Sequence, residues 1–340
     1  MPELPEVETV ARDLRPRLVG ARINGTRTNW LKTLRSGDPA AFSAAVIGRR
    51  IVEATRRAKL VVLELDDGRA ITIHLKMTGQ LFVLPADAPE DAYVRAVISF
   101  EDGRELRFRD IRKFGRIGIA GRDAATGDLV GELGGPKGFG GFGPEPLDPA
   151  FTLAAFRRRI HGRRGRLKAL LTDQAFIAGV GNIYADESLW AARLHPLRSA
   201  ASLRPADERR LYLELQRLLA EGVERRGSSI DDYTAPDGDG SMQEHLAVYQ
   251  RTGEPCLRCA RPVRRFFLGG RGTHFCSWCQ RLPPAERATA AALLRTATPK
   301  RGPAATRDRE DAGRRAVATR RAAATRRAAA REAASTGARA

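Results

Sequence analysis

Four cysteines packed into one short stretch constrain this chain more than any other feature. They read Cys256-x2-Cys259, sixteen intervening residues, then Cys276-x2-Cys279. Two such knuckles at this separation suit tetrahedral zinc-thiolate ligation. Four ligands leave no open position, so the implied cofactor is one structural Zn2+. All the cysteines of the chain fall here, which points to a metal site in a reducing compartment rather than a disulfide scaffold. Between the knuckles lie Arg264, Arg265, Arg271 and His274, with Phe266, Phe267 and Phe275. Basic and aromatic residues on a zinc hairpin suit DNA contact; a packed hairpin with a solvated basic tip is the plainer alternative.

The charge balance favours a polyanionic partner. The 340 residues carry a formal net charge of +19, and nucleic acid fits that better than a membrane. No run of eighteen apolar residues exists to span a bilayer. The N-terminus lacks the basic-then-apolar pattern of a secretion signal, so the expected location is the cytoplasm, on DNA. Residues 285–340 are mostly Ala, Arg and Thr, with 14 Arg/Lys against 5 Asp/Glu and Arg pairs at 314–315, 320–321 and 326–327. With no large apolar residue after Leu294, this tail is expected to be disordered or transiently helical and to bind polyanions without specificity.

The body divides by pattern. Residues 17 to about 120 read mainly as strands. Leu60–Leu65, the turn Asp66-Asp67-Gly68-Arg69 and Ala70–Leu75 form one hairpin; Val94–Phe100, Glu101-Asp102-Gly103-Arg104 and Glu105–Asp110 form another. Short strands joined by Asp-Gly turns predict an antiparallel sandwich or barrel. Residues 121–149 are rich in Gly and Pro and read as a linker. Helices are expected at 151–160, 167–172, 183–192 and 207–225, with Leu211, Leu215, Leu218 and Leu219 forming one stripe. Gly179-Val180-Gly181-Asn182 lies between two of them. Its glycines permit close approach to a phosphate at a helix N-terminus, or simply an interhelical turn.

The first residues, Met1-Pro2-Glu3-Leu4-Pro5-Glu6-Val7-Glu8-Thr9, read two ways. Pro5 suits a first helical position, Glu6 and Glu8 complement the dipole, and Val7, Val10, Ala11 and Leu14 make an amphipathic stripe that Pro16 should break. Removal of Met1 would instead bare the Pro2 nitrogen, a secondary amine that titrates well below a lysine. Such an amine forms Schiff bases with sugar aldehydes, and Glu3 and Glu6 stand ready for proton transfer.

Taken together, these features resemble the bacterial formamidopyrimidine-DNA glycosylases of the Fpg/Nei family. The resemblance runs from Met1 to about Gln280. It rests on the N-terminal run, His74-Leu75-Lys76-Met77-Thr78-Gly79, Asp110-Ile111-Arg112-Lys113-Phe114-Gly115, Gly143-Pro144-Glu145-Pro146-Leu147, Gly179 to Glu187, and the cysteines. It implies an α+β multidomain fold. An N-terminal helix and antiparallel β-sandwich (1–120) are followed by the linker (121–149) and a helix-two-turns-helix domain (150–226). A lesion-loop region (227–255), a zinc-finger β-hairpin (256–280) and the basic tail (285–340) complete the chain.

The resemblance also implies an activity: excision of oxidised purines such as 8-oxoguanine and formamidopyrimidines from damaged double-stranded DNA, then strand cleavage by β,δ-elimination. A monomer is expected, with no membrane partner. Carried over by motif, Pro2 is the nucleophile, Glu3 shuttles protons, Glu6 supports the site and Lys59 lies near the lesion. Met77, Arg112 and Phe114 fill the gap left by the flipped nucleotide; by themselves they would read as two core residues and a solvated charge. His74, Asn182 and Arg271 match phosphate-binding positions, and Lys168 and Tyr249 are further DNA-binding candidates. The chain departs from the pattern at Lys76, where glycine is usual, at Arg226-Gly227 in place of Gly-Gly, in a longer linker, and in the tail. Two rival readings are an endonuclease VIII-like enzyme for oxidised pyrimidines and a non-catalytic zinc protein that binds DNA.

Overall fold

The computed structural model describes residues 1–125, 129–131, 141–229, 238 and 240–297. Met1–Ala292 forms one compact unit; of the second, Leu293–Ala340, only the end of the last helix is described.

Helix α1 (Leu4–Leu18) starts as its sequence dictates: Pro5 sits in the first turn, and the Glu3 N–H donates to Glu6 Oε2 at 2.8 Å. Pro16 does not break it. The helix runs on to Leu18, because a proline in the final turn forfeits one hydrogen bond with little helix left to disrupt. The apolar stripe faces inward, and Leu4, Val7, Val10, Leu14 and Leu18 are all buried.

Among the described residues the N-terminal half is two antiparallel sheets. One has the order β1 (Ile23–Thr28), β6 (Val94–Phe100), β7 (Arg104–Asp110), β5 (Gly79–Pro85). The other has the order β2 (Ile51–Arg57), β3 (Leu60–Leu65), β4 (Ala70–His74), β8 (Arg116–Arg122), β9 (Leu129–Gly131). Their inner faces share a core that includes Val7, Leu14, Ile51, Leu63, Ile73, Leu81, Ile98 and Phe108; each such side chain contributes roughly 1.5–3 kcal/mol by leaving water.

Two elements here escape the sequence reading. Helix α2 (Pro39–Val46) interrupts the expected run of strands, capped by Asp38, which accepts from the Ala41 N–H at 3.0 Å. Strand β9 lies in the stretch read as linker and extends the sheet beside β8.

The second half is helical: α3 (Leu153–Ile160), α4 (Leu167–Thr172), α5 (Asn182–Ala191) and α6 (Pro205–Glu224). Leu211, Leu215, Leu218 and Leu219 pack into a core with Phe156, Ile177, Tyr184, Leu189 and Met242. Leu4 belongs to this core while Val7, three residues on, belongs to the sandwich core. The first turn of α1 therefore pins the two halves together.

The hairpin β10 (Arg264–Leu268) and β11 (Arg271–Phe275) closes through Gly269 and Gly270, both at positive φ. Helix α7 (Pro284–Ala297) follows and occupies the start of the 285–340 stretch. Its first turns dock: Ala290 is buried, and Glu286 Oε2 accepts from Arg166 Nη1 at 2.9 Å and the Ser199 N–H at 2.7 Å. Residues 298–340, with the paired arginines, lie outside the described residues.

Candidate active site

Glu3 is held by the start of α5. Its Oε2 accepts the Gly181 N–H at 2.8 Å and its Oε1 the Ile183 N–H at 2.8 Å. The anion at this helix end is thus a carboxylate of the same chain, where a phosphate seemed equally suited; unpaired N–H groups and the dipole favour either. Gly181 makes the approach possible. A Cβ there would lie 2.5 Å from Glu3 Oε1 and 2.6 Å from Lys59 Nζ. Gly179 turns the chain at φ +79°, and its carbonyl accepts the Leu4 N–H at 3.0 Å.

Glu6 lies one turn deeper. It accepts the Glu3 N–H, the Ser228 N–H at 2.7 Å and the Tyr184 hydroxyl at 3.2 Å. Burial, and then the charge of Glu3, raise its pKa above the usual carboxylate range. Burial likewise raises Tyr184 well above an ordinary phenol. Lys59 moves the other way: burial lowers its pKa, Glu3 partly offsets that, and Arg271 adds to it. Pro2, the residue before Glu3, is buried, and Met1 precedes it in the structure.

Lys59 sits in the tight turn between β2 and β3, with Ala58 at φ +52°. The sequence reading missed what holds that turn. Glu145, from the Gly-Pro-Glu-Pro motif, accepts the Ala58 N–H at 2.6 Å, Arg57 Nη1 at 2.7 Å and Arg56 Nη1 at 2.6 Å. Burial opposes its ionisation, but Arg56 and these bonds hold its pKa below the usual range.

Two loops project beside this centre. The one after β4 carries Lys76 and Met77, and the one after β7 carries Arg112, Lys113 and Phe114. Asp110, itself buried, ties them together: it accepts the Thr78 hydroxyl, the Arg112 N–H at 3.2 Å and the Gly115 N–H at 2.7 Å. Met77 is 38% exposed and Phe114 48%, so neither is a core residue. The Arg112 guanidinium lies 5.2 Å from the Phe114 ring centre. His74 Nδ1 accepts the Lys76 N–H at 3.0 Å. Burial, Lys76 and Lys59 hold its pKa down at about 3, so the ring is neutral at pH 7 with its proton on Nε2.

The other wall comes from α4, α5 and the hairpin. Asn182 Nδ2 donates to the Gly272 carbonyl at 2.9 Å, and its buried Oδ1 has no partner among the described residues. Lys168, expected at the DNA surface, is 2% exposed. Its ammonium pairs with buried Asp186, which also accepts the His274 N–H at 2.9 Å. Tyr249 packs edge-on against His274 at 4.9 Å between ring centres, and its N–H donates to buried Glu187 at 2.7 Å. Arg271, at the hairpin tip, is exposed.

The ligating atoms of Cys256, Cys259, Cys276 and Cys279 all lie within 4.8 Å of one another. Trp190 Nε1 donates to Cys256 Sγ at 3.4 Å. This all-sulfur donor set fits one structural zinc.

Family comparison divides the chain as the geometry does. Residues 1–117 match the formamidopyrimidine-DNA glycosylase N-terminal domain, 142–234 the glycosylase H2TH domain, and 253–282 a zinc finger found in Fpg and IleRS. The formamidopyrimidine-DNA glycosylase of Herpetosiphon aurantiacus is 43% identical over 282 residues, covering 82% of this chain and all of the relative. The chain belongs to the formamidopyrimidine-DNA glycosylase family. A solved MutM (Fpg) protein of Thermus thermophilus is similar at a TM-score of 0.72 and 42% identity, over 83% of this chain and 100% of that one. A Lactococcus lactis Fpg mutant bound to DNA containing Fapy-dG is similar at a TM-score of 0.74 and 32% identity, over 82% and 100%.

Within this glycosylase scaffold, Glu3, Glu6 and Lys59 meet at one point, with Pro2 beside them. Met77, Arg112 and Phe114 stand together on two tied loops. Asn182, Lys168 and Tyr249 gather around Asp186, Glu187 and the finger, with Lys168 turned inward. Among the described residues no helix is long and apolar enough to cross a membrane.

Proposed function

We propose that this glycosylase excises oxidised purines from duplex DNA and then cleaves the strand, with the Pro2 nitrogen as its nucleophile once Met1 is removed. One observation carries the reading: Glu3 and Glu6 are both buried immediately after Pro2, held by the start of α5 and by Ser228. Binding DNA alone requires no such arrangement.

The steps follow from that geometry. The neutral Pro2 amine attacks C1′ of the extruded nucleotide as the bond to the base breaks and the base leaves with a proton. Nitrogen loses its proton, the sugar ring opens with protonation of its oxygen, and a cationic iminium forms, since Pro2 is a secondary amine. The iminium acidifies C2′. A carboxylate removes that proton, the 3′-phosphate leaves, and a second elimination releases the 5′-phosphate. Water then hydrolyses the iminium, releasing the unsaturated aldehyde and the free Pro2 amine. Glu3 sits one residue from the nucleophile and is the proton carrier. Glu6, made more basic by burial, fixes the Glu3 N–H and thereby the backbone that presents Pro2. Lys59 offsets the carboxylate charge beside the phosphates.

Extrusion costs a few kcal/mol. Exposed Met77 and Phe114 can enter the vacated stack while Arg112 meets the orphaned base. His74 Nε2, Arg271 and Asn182 offer phosphate contacts. Lys168 instead positions α5 and the hairpin through Asp186, and Tyr249 supports the same corner. A structural zinc supplies the fixed hairpin and enters no bond-making step. One chain contains every part, so the protein works as a monomer.

Excision should be compared on duplexes containing 8-oxoguanine and thymine glycol. Faster release of the purine, with strand scission, is expected. Preference for the pyrimidine would move the chain to the endonuclease VIII-like reading, and binding without excision would reject the enzyme.

A further inference from the structure

We propose that Lys76 grips a DNA phosphate and joins the reaction centre to a second cationic patch built around Trp30. This rests on the DNA-binding part of the proposed function.

The strand register places the patch. His74 pairs opposite Arg116 across β4 and β8. Lys76 leaves the strand two residues after His74, and the Arg35 N–H donates to the Ile117 carbonyl at 2.7 Å, next along β8 from Arg116. Arg116 is fixed in turn, donating to the carbonyls of Lys113 at 3.2 Å and Gly115 at 2.7 Å. Lys113 Nζ lies 4.5 Å from the Trp30 ring centre and Lys32 Nζ 5.8 Å from it. Lys76 therefore stands between Lys59 and His74 on one side and Arg35 and Arg116 on the other. Its charge reaches both: it helps to hold His74 and Lys59 down, and burial, Arg116 and Arg35 lower its own pKa.

These cations are unbalanced. Among the described residues, none of Lys32, Arg35, Lys76, Lys113 and Arg116 has a carboxylate within 4.0 Å, although ion pairs are common elsewhere on this surface. Asp110, the carboxylate of the adjacent loop, is taken up by Thr78 and two N–H groups. A row of fixed positive charge with an aromatic ring at one end fits a phosphodiester backbone passing the exposed Met77 and Phe114.

Backbone strain marks Lys76 independently. It sits at φ +55°, a conformation glycine takes freely and lysine does not. Replacement by glycine therefore removes the charge while easing the fold.

The test is binding of the full chain to a duplex carrying a tetrahydrofuran abasic analogue, measured between 50 and 200 mM KCl. Each phosphate contact adds about 0.9 to the slope of log affinity against log salt, so the wild type should lose about 3.5-fold more affinity over this range than Lys76→Gly. Lys76→Arg should restore the wild-type slope. Wild-type binding with an unchanged slope in a folded Lys76→Gly would overturn this inference alone. A wild type that fails to bind the duplex would overturn the DNA reading as well.

Discussion

Replacing Gly181 with alanine tests how the reaction centre is held. The added methyl would lie 2.5 Å from Glu3 Oε1 and 2.6 Å from Lys59 Nζ. Neither neighbour can retreat cheaply, since Glu3 is anchored by the Gly181 and Ile183 N–H groups and Lys59 sits in a turn clamped by Glu145. Overpacking costs about 1–3 kcal/mol. Forcing Glu3 off its two amides forfeits charge-assisted bonds worth about 1.5–3 kcal/mol each, part of which water returns. A net destabilisation of roughly 3 kcal/mol follows, a fall in Tm of about 5 °C for a folded unit of this length. Displacing the proton carrier by even 1 Å should slow excision about 100-fold. Differential scanning calorimetry and single-turnover excision read the two effects, with binding to an abasic-analogue duplex as the control. A variant with wild-type Tm and wild-type rate would refute the claim that Glu3 must seat on the helix end.

Three further outcomes are expected. Glu145→Ala leaves Arg56 with Glu8 as its remaining carboxylate partner and frees the Lys59 turn, so it should cost about 1–3 kcal/mol in thermal unfolding and reduce strand scission more than DNA binding. His74, whose pKa is depressed to about 3, contributes stability that is complete above pH 6.5 and is lost as pH falls toward 3; His74→Gln should flatten that acid limb in a Tm-against-pH series, and imidazole NMR should show no titration of this ring between pH 5 and 8. Stripping zinc with a chelator, or Cys279→Ser, should loosen the hairpin and its Asn182–Gly272 bond. DNA affinity should then fall about tenfold, the loss of roughly one phosphate contact at 0.1 M salt, while circular dichroism still reports the sandwich.

What the sequence revealed was local. The α1 stripe, the Asp-Gly hairpins, the Leu211–Leu219 face and the cysteine spacing all declare themselves within one element. Helix α2 was missed because Pro-Ala-Ala-Phe-Ser-Ala-Ala-Val has no charged face to set a period. Strand β9 was hidden inside a glycine-rich stretch, and it forms only because β8 offers an edge. The docked start of α7 depends on Glu286 meeting Arg166, 120 residues away in sequence.

The site shows the same division. Candidates for the chemistry could be named from motif and residue type, but their partners could not. Glu3 on the α5 amides, Glu145 under the Lys59 turn and Lys168 against Asp186 are all pairings between distant segments. The inward turn of Lys168 in particular left no sequence signal, since a basic residue on a short helix looks the same whether it faces solvent or a buried aspartate.

The most direct test of the account is borohydride trapping on an abasic duplex, with the adduct mapped by mass spectrometry. A covalent product on the Pro2 nitrogen of a chain lacking Met1 is the result expected. Trapping at Lys59 or another lysine, or a folded chain that gives no adduct, would contradict it.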